Sequence, residues 1–245
     1  MKLIFFLLAL CAAFTAASQS LELQYDPRHT WDRRHHPRNF ASLYFEYFKT
    51  LDSGKGFIQP GSFLLKTQVD FAGLRGNINQ FYGQISQTLK MGKGGLYLNL
   101  QYSGGLGVTE PKQYSYYLTN TYGCGVARPF HRGNAWFSAV LNLQYTANAR
   151  PSLDPQYTLY WWKGLWKNEV ECSGDFSAWT LNRNHGDALT SGSAGKAFYF
   201  FAEPHLRYNF SRSFSAGSTI YFYYHVLSPL NRLQVYPVAT LRWKL

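Results

Sequence analysis

The sequence predicts an all-β protein, a transmembrane antiparallel β-barrel of about twelve strands behind an N-terminal signal peptide. Three observations predict it. Long stretches alternate between apolar and polar residues, and period two marks a strand because successive Cβ atoms point to opposite faces. The connections between these stretches alternate between tight turns and longer polar segments. Hydrophobic residues make up 46% of the chain and aromatics 18%, yet mean hydropathy is −0.28, which suits strands with one greasy face better than apolar helices.

The chain opens MKLIFFLLALCAAFTAASQ. Lys2 supplies a positive start, Ile4 to Leu10 an apolar run, and Ala16-Ala17-Ser18 a small-residue cleavage site. Residues 1–18 are therefore read as a signal peptide and 19–245 as one outer-membrane barrel domain. Leu10 is too bulky for lipoprotein cleavage at Cys11. Cys124 and Cys172 sit in separate strand-like runs and read as unpaired packing residues. Beyond the signal no apolar run reaches about 18 residues, so no transmembrane helix is predicted.

Alternating segments fall near 20–27, 39–50, 62–71, 80–90, 94–104, 114–128, 134–147, 156–163, 169–181, 196–210, 213–227 and 232–245. In the third, Phe63, Leu65, Thr67, Val69 and Phe71 oppose Leu64, Lys66, Gln68 and Asp70. In the ninth, Val170, Cys172, Gly174, Phe176 and Ala178 oppose Glu169, Glu171, Ser173, Asp175, Ser177 and Trp179. In the tenth, Phe198, Phe200, Ala202, Pro204, Leu206 and Tyr208 oppose Tyr199, Phe201, Glu203, His205, Arg207 and Asn209. Charges keep to one parity. A Lys or Arg facing mid-bilayer lipid costs about 2–4 kcal/mol, so lipid demands this segregation. A soluble core would demand it too, but its wet face would be dominated by Lys and Glu. Here that face is rich in Gln, Asn, Ser, Thr, Tyr and Trp, and charged residues are only 15% of the chain, which suits a confined wet interior.

KMGKGG, RPFHRG, KGLWKN and FSRS read as tight turns. SGGLGVTEPKQ, TANARPSLDP and NRNHGDALTSGSAG read as longer loops, the rhythm of a barrel with short periplasmic turns and longer external loops. TLDSGKGFIQPG is long where a short turn is expected. The last strand, VYPVATLRWKL, puts Val235, Ala239, Leu241, Trp243 and Leu245 on one face. Such an ending resembles the signal read by the barrel-assembly machinery, although Leu245 stands where Phe is usual. The net charge of +11 points toward anionic lipid headgroups, including lipopolysaccharide, or anionic solutes. No nucleic-acid recognition motif is present.

LELQYDPRHT, ASLYFEYFKTLDSGKGF, AFYFFAEPHLRYNF and VYPVATLRWKL together resemble the nucleoside-specific channel-forming outer-membrane porins (the Tsx-like family), most of all its uncharacterised relatives. The resemblance implies a monomeric twelve-stranded barrel in a Gram-negative outer membrane, passing nucleosides and similar small polar solutes. It transfers no individual nucleoside-contacting residue.

Read from parity alone, the lumen receives Glu22, Gln24, Asp26, Glu46, Lys66, Gln68, Asp70, Glu169, Glu171, Asp175, Glu203, His205, Arg207, Arg242 and Lys244. Tyr97, Trp136, Trp179, Tyr199, Tyr221 and Tyr223 share that side. Candidate solute-contacting residues are Glu46, Asp70, Glu171, Asp175, Glu203, His205, Arg207, Tyr221 and Tyr223. Aromatic faces beside hydrogen-bonding groups suit a nucleobase and a ribose, at about 1–3 kcal/mol per stacked base. Mixed signs argue against strong ion selectivity.

Two other readings stay open. Lumenal charges can pair merely to neutralise one another inside a filled, structural barrel. Some outer-membrane barrels hydrolyse lipids with an outward Ser–His pair, but His205 and His225 fall on the inward parity and leave outward Ser218 without a base. No catalytic residue and no cofactor are predicted. His29, His35 and His36 in RHTWDRRHHPR match no metal-ligand spacing and lie among arginines, so an exposed basic loop is expected.

Overall fold

The computed structural model describes residues 18–50, 58–92, 94–109, 114–188, 190–226 and 231–245. Residues 1–17 of the signal-peptide reading, Cys11 among them, lie outside them, and Ser18 is the first residue of the first strand. Among the described residues thirteen strands form one antiparallel sheet: β1 (Ser18–Asp26), β2 (Phe40–Thr50), β3 (Ile58–Asp70), β4 (Gln80–Met91), β5 (Tyr97–Val108), β6 (Ser115–Arg132), β7 (Ala135–Thr146), β8 (Ser152–Leu165), β9 (Val170–Asn182), β10 (Lys196–Ala202), β11 (His205–Asn209), β12 (Phe214–Tyr224) and β13 (Leu233–Lys244). β13 pairs with both β12 and β1, so the sheet closes on itself. Closure removes edge strands and satisfies the backbone without water, the condition for a sheet to span lipid.

β10 and β11 are two halves of one stave, giving twelve positions around the ring. Ala202 faces Phe176 and His205 faces Ser173, so pairing resumes in the same register after the break. Pro204 causes the interruption, because it has no N–H to give the ladder. The Glu203 amide still donates to the Asp175 carbonyl at 2.9 Å, and the Ile220 amide donates to the Pro204 carbonyl at 3.0 Å. Opposite the break Gly174 adopts φ 151°, and a Cβ there would sit 2.5 Å from the Glu203 carbonyl oxygen. Only glycine allows this close approach.

The faces decide the solvent. On β1, Leu23 and Tyr25 are 53% and 51% exposed, while Glu22 and Gln24 are each 1% exposed. On β7, Leu141 and Leu143 are 52% and 54% exposed around Asn142 at 2%. A soluble globule would reverse this, so the outside of the barrel is its lipid face. Aromatics gather at its rims. Phe210, Phe214 and Trp243 form a stack at the end that carries the termini, and Phe130 stacks on Phe137. Tyr25, Phe81, Tyr117 and Tyr145 are exposed near the opposite, loop end. Among the described residues no helix is long and apolar enough to cross a membrane; crossing is by strands.

Several boundaries differ from the sequence reading. β6 runs through Arg132, so most of RPFHRG is strand and the turn is Gly133-Asn134. β5 continues to Val108 and β8 begins at Ser152, which shortens two of the expected long loops. Among the described residues the longest connections are 27–39, 71–79 and 183–195, the last of them as expected, and all three lie at the loop end. Residues 51–57 of TLDSGKGFIQPG lie outside the described residues. Glu169, expected in the lumen, is exposed in the β8–β9 turn. There Trp166, Lys167 and Asn168 all take positive φ, so the alternation of β9 starts one residue later. His225 also takes positive φ, just past β12, and is half-buried. Cys124 and Cys172 are free.

Candidate functional site: the barrel lumen

The lumen has two unlike halves. The half nearer the termini holds a cavity of about 870 Å³. Phe48, Tyr97, Trp136 and Tyr160 supply aromatic surface to its wall, and Glu46, Lys66, Glu171, Asp175, His205, Arg207 and Arg242 supply polar groups. The half nearer the loops is packed with side chains. Tyr221, Tyr223, Tyr236 and Val238 form a buried cluster there with Phe201 against it.

Ion pairs brace the cavity. Arg242 grips Glu171 with two parallel bonds of 2.7 and 2.8 Å and donates to the Ser215 hydroxyl at 3.1 Å. Arg207 donates to Glu22 at 2.7 and 2.9 Å and lies 3.5 Å from Glu171. Lys244 completes the group 3.6 Å from Glu171. The bidentate Arg242–Glu171 contact suits arginine, whose planar fork matches a carboxylate. Glu22 also accepts from Gln24, which in turn accepts from the Tyr221 hydroxyl at 2.8 Å, linking the cavity to the packed half.

One contact crosses the barrel. Lys66 on β3 reaches Asp175 on β9 at 2.5 Å and Glu203 at 2.8 Å. β3 and β9 stand six positions apart on a ring of twelve, so this bridge spans the lumen. The Lys66 ammonium also lies 5.6 Å from the centre of the Tyr160 ring, whose hydroxyl accepts from Gln84 on β4.

In the packed half, Asp26 holds the Arg28 guanidinium at 2.5 and 2.9 Å. The same group lies 4.9 Å from the Phe40 and Tyr236 rings and 5.9 Å from Tyr223. Arg28 belongs to a one-turn helix, α1 (Arg28–Trp31), at the start of the β1–β2 loop. That loop is fastened by His36 to the Tyr236 hydroxyl at 2.7 Å and by Asp32 to Arg232 at 3.0 Å. A hydrogen bond from His35 holds the Asp32 carboxyl below its usual range, while burial and the nearby Arg28 charge push the His36 imidazole down. The three imidazoles have separate partners: His29 meets the His36 carbonyl, His35 meets Asp32, and His36 meets Tyr236. Among the described residues no cluster of three metal-ligating side chains occurs.

The predicted site residues all face inward but do not form one site. Glu46, Glu171, Asp175, His205 and Arg207 line the cavity, and Glu203 meets it through Lys66. Asp70 accepts from Ser42 and Gln68 at 2.7 and 2.8 Å, and its Coulombic neighbours are Arg28 and Asp26 of the packed half. Tyr221 and Tyr223 also belong to the packed half. Glu203, His205 and Arg207 share a strand face yet have different partners. Lys66 takes the first, the Thr219 hydroxyl at 2.6 Å the second, and Glu22 the third. The candidate set omitted Lys66, Tyr160 and Arg28. Alternation places the first two inward but carries no sign of a partner six positions away, and Arg28 lies in a loop where no period applies.

On the lipid side the Ser218 hydroxyl donates to the Val238 carbonyl at 3.0 Å. No protein-family model matches the chain, and no curated protein matches it. Among solved structures it is similar to the β domain of the Bordetella autotransporter BrkA, at 10% identity and TM-score 0.39 over 94% of this chain and 100% of that one. It is also similar to outer membrane phospholipase A from Escherichia coli, at 12% identity and TM-score 0.45 over 94% of this chain and 92% of that one. Likenesses this distant carry nothing about function. The closed sheet and its apolar outer face define the class: a transmembrane β-barrel of the outer-membrane type.

Proposed function

We propose that this barrel is a monomeric outer-membrane channel of a Gram-negative bacterium that passes small polar solutes passively, nucleosides among them. The observation that carries the reading is the cavity of about 870 Å³, whose wall combines aromatic faces with paired charges. Its size lies in the range of sites that enclose small ligands. Trp136 and Phe48, 6.2 Å apart, offer surface on which a flat base stacks, and Asn99 and Ser138 offer hydrogen bonds for a sugar. The balanced signs of the lumen favour uncharged or zwitterionic cargo over ions. The exposed basic residues Arg33 and Arg34 of the β1–β2 loop suit lipopolysaccharide phosphates. Closure of the sheet leaves no edge for a partner, in keeping with a monomer.

The packed half favours a second reading, a structural barrel with a permanently filled lumen. Purified protein in planar bilayers and in liposome-swelling assays separates the two. The channel reading expects small conductance that millimolar uridine or adenosine blocks, and swelling in nucleoside solutions. A silent bilayer with no swelling supports the filled barrel instead.

A further inference from the structure

Asp175 and Glu203 stand side by side on adjacent strands, an arrangement in which like charges repel. No cation on their own strands compensates them at this level. The compensating ammonium is that of Lys66, which reaches them from the opposite wall at 2.5 and 2.8 Å with the Tyr160 ring beside it. Two carboxylates and an aromatic face are what a primary ammonium group prefers: acceptors for its donors and a negative quadrupole for its charge. Lys66, Asp175 and Tyr160 all border the cavity, so a solute there reaches the same acceptors.

Lys66 also has a third carboxylate nearby, on its own side of the lumen. Glu46 lies directly across from it on β2, faces the same cavity and accepts from the Tyr44 hydroxyl at 3.2 Å. The remaining lumenal cations nearby are committed elsewhere, Arg207 to Glu22 and Arg242 to Glu171.

We propose that Asp175, Glu203 and Tyr160 form a recognition site for solutes bearing a primary ammonium group, which Lys66 occupies as a tethered stand-in. An incoming ammonium displaces Lys66 toward Glu46 and so removes the bridge across the lumen. The site would select aminated cargo among the polar solutes of the proposed channel. The displacement step rests on that channel reading, whereas the site itself does not.

The test uses the folded full-length barrel in detergent, with Lys66→Ala and n-propylammonium, which replaces the atoms removed. Millimolar n-propylammonium is expected to raise the thermal midpoint of Lys66→Ala by roughly 2–4 °C. It should move the wild type by less, because Lys66 must first be displaced there, and n-propanol should move neither. Adding Asp175→Asn and Glu203→Gln to Lys66→Ala should abolish the shift. If Lys66→Ala does not fold, Lys66→Ala with Glu203→Gln relieves the repulsion and keeps Asp175 for the same titration. No amine-specific shift, or an equal shift without the carboxylates, overturns the site. Liposome swelling of the wild type in uncharged solutes is read separately. Its absence beside an intact shift removes the channel reading and leaves the ammonium site standing.

Discussion

The two halves of the lumen solve one problem in opposite ways. Toward the termini, the interior stays open and its walls are held apart by charged pairs, with Glu171 alone serving Arg242, Arg207 and Lys244. Toward the loops, the interior is filled by Tyr221, Tyr223, Tyr236 and Phe201, and Arg28, which enters it, lies against rings. A charged pair braces a gap because its strength lies in a few directed bonds. Aromatic packing holds only where contact is continuous. Inward parity alone therefore does not make a residue solute-facing: the same alternation lines a cavity in one half and builds a plug in the other.

The sharpest blow to the braced half is Glu171→Ala. It strands the buried Arg242 guanidinium, takes a neighbour from Arg207, and should cost about 3–5 kcal/mol in urea unfolding from lipid vesicles. A loss below about 1 kcal/mol would mean that the pairs are ornamental and that the halves do not differ in what holds them. Next, Tyr221→Ala in the packed half should cost about 3 kcal/mol, as other large-to-small changes in filled cores do. Tyr97→Ala on the cavity wall should cost under about 1 kcal/mol, and the comparison breaks if their order is reversed.

A smaller effect is expected at the boundary between the halves. Gly174→Ala drives a methyl against the Glu203 carbonyl, so a loss of about 1–3 kcal/mol should accompany slower refolding into liposomes. The smallest concerns the loop over the packed half. The His36 imidazole titrates below its ordinary 6.5 when folded, so the unfolded chain binds the proton first. The stability that this contact contributes is complete above that value and is lost as the pH falls from 6.5 toward the folded pKa. Fluorescence of exposed Trp31 should report the loop loosening over that window, and His36→Ala should flatten the response.

Much of this was legible because its cause is local. Glu203, His205 and Arg207 were placed inward by alternation, and the structure keeps all three buried. The same rule misplaced Glu169: the turn read at KGLWKN is present, but its left-handed residues Trp166, Lys167 and Asn168 carry it one residue further. The break at Pro204 was also invisible, because Ala202 and His205 keep one register and the facing pattern runs on unbroken.

By itself the sequence determined which side chains face lipid and which face the interior, because a two-residue period is a property of the backbone between neighbours. It determined the twelve staves too, through turns that each need only a few adjacent residues. The tertiary structure alone decided that Lys66 meets Asp175 and Glu203, that Arg242 meets Glu171, and that Asp70 stands apart from the cavity. Those pairings depend on how strands far apart in the chain are staggered when the ring closes, and stagger is a sum over the whole circuit that no single stretch records.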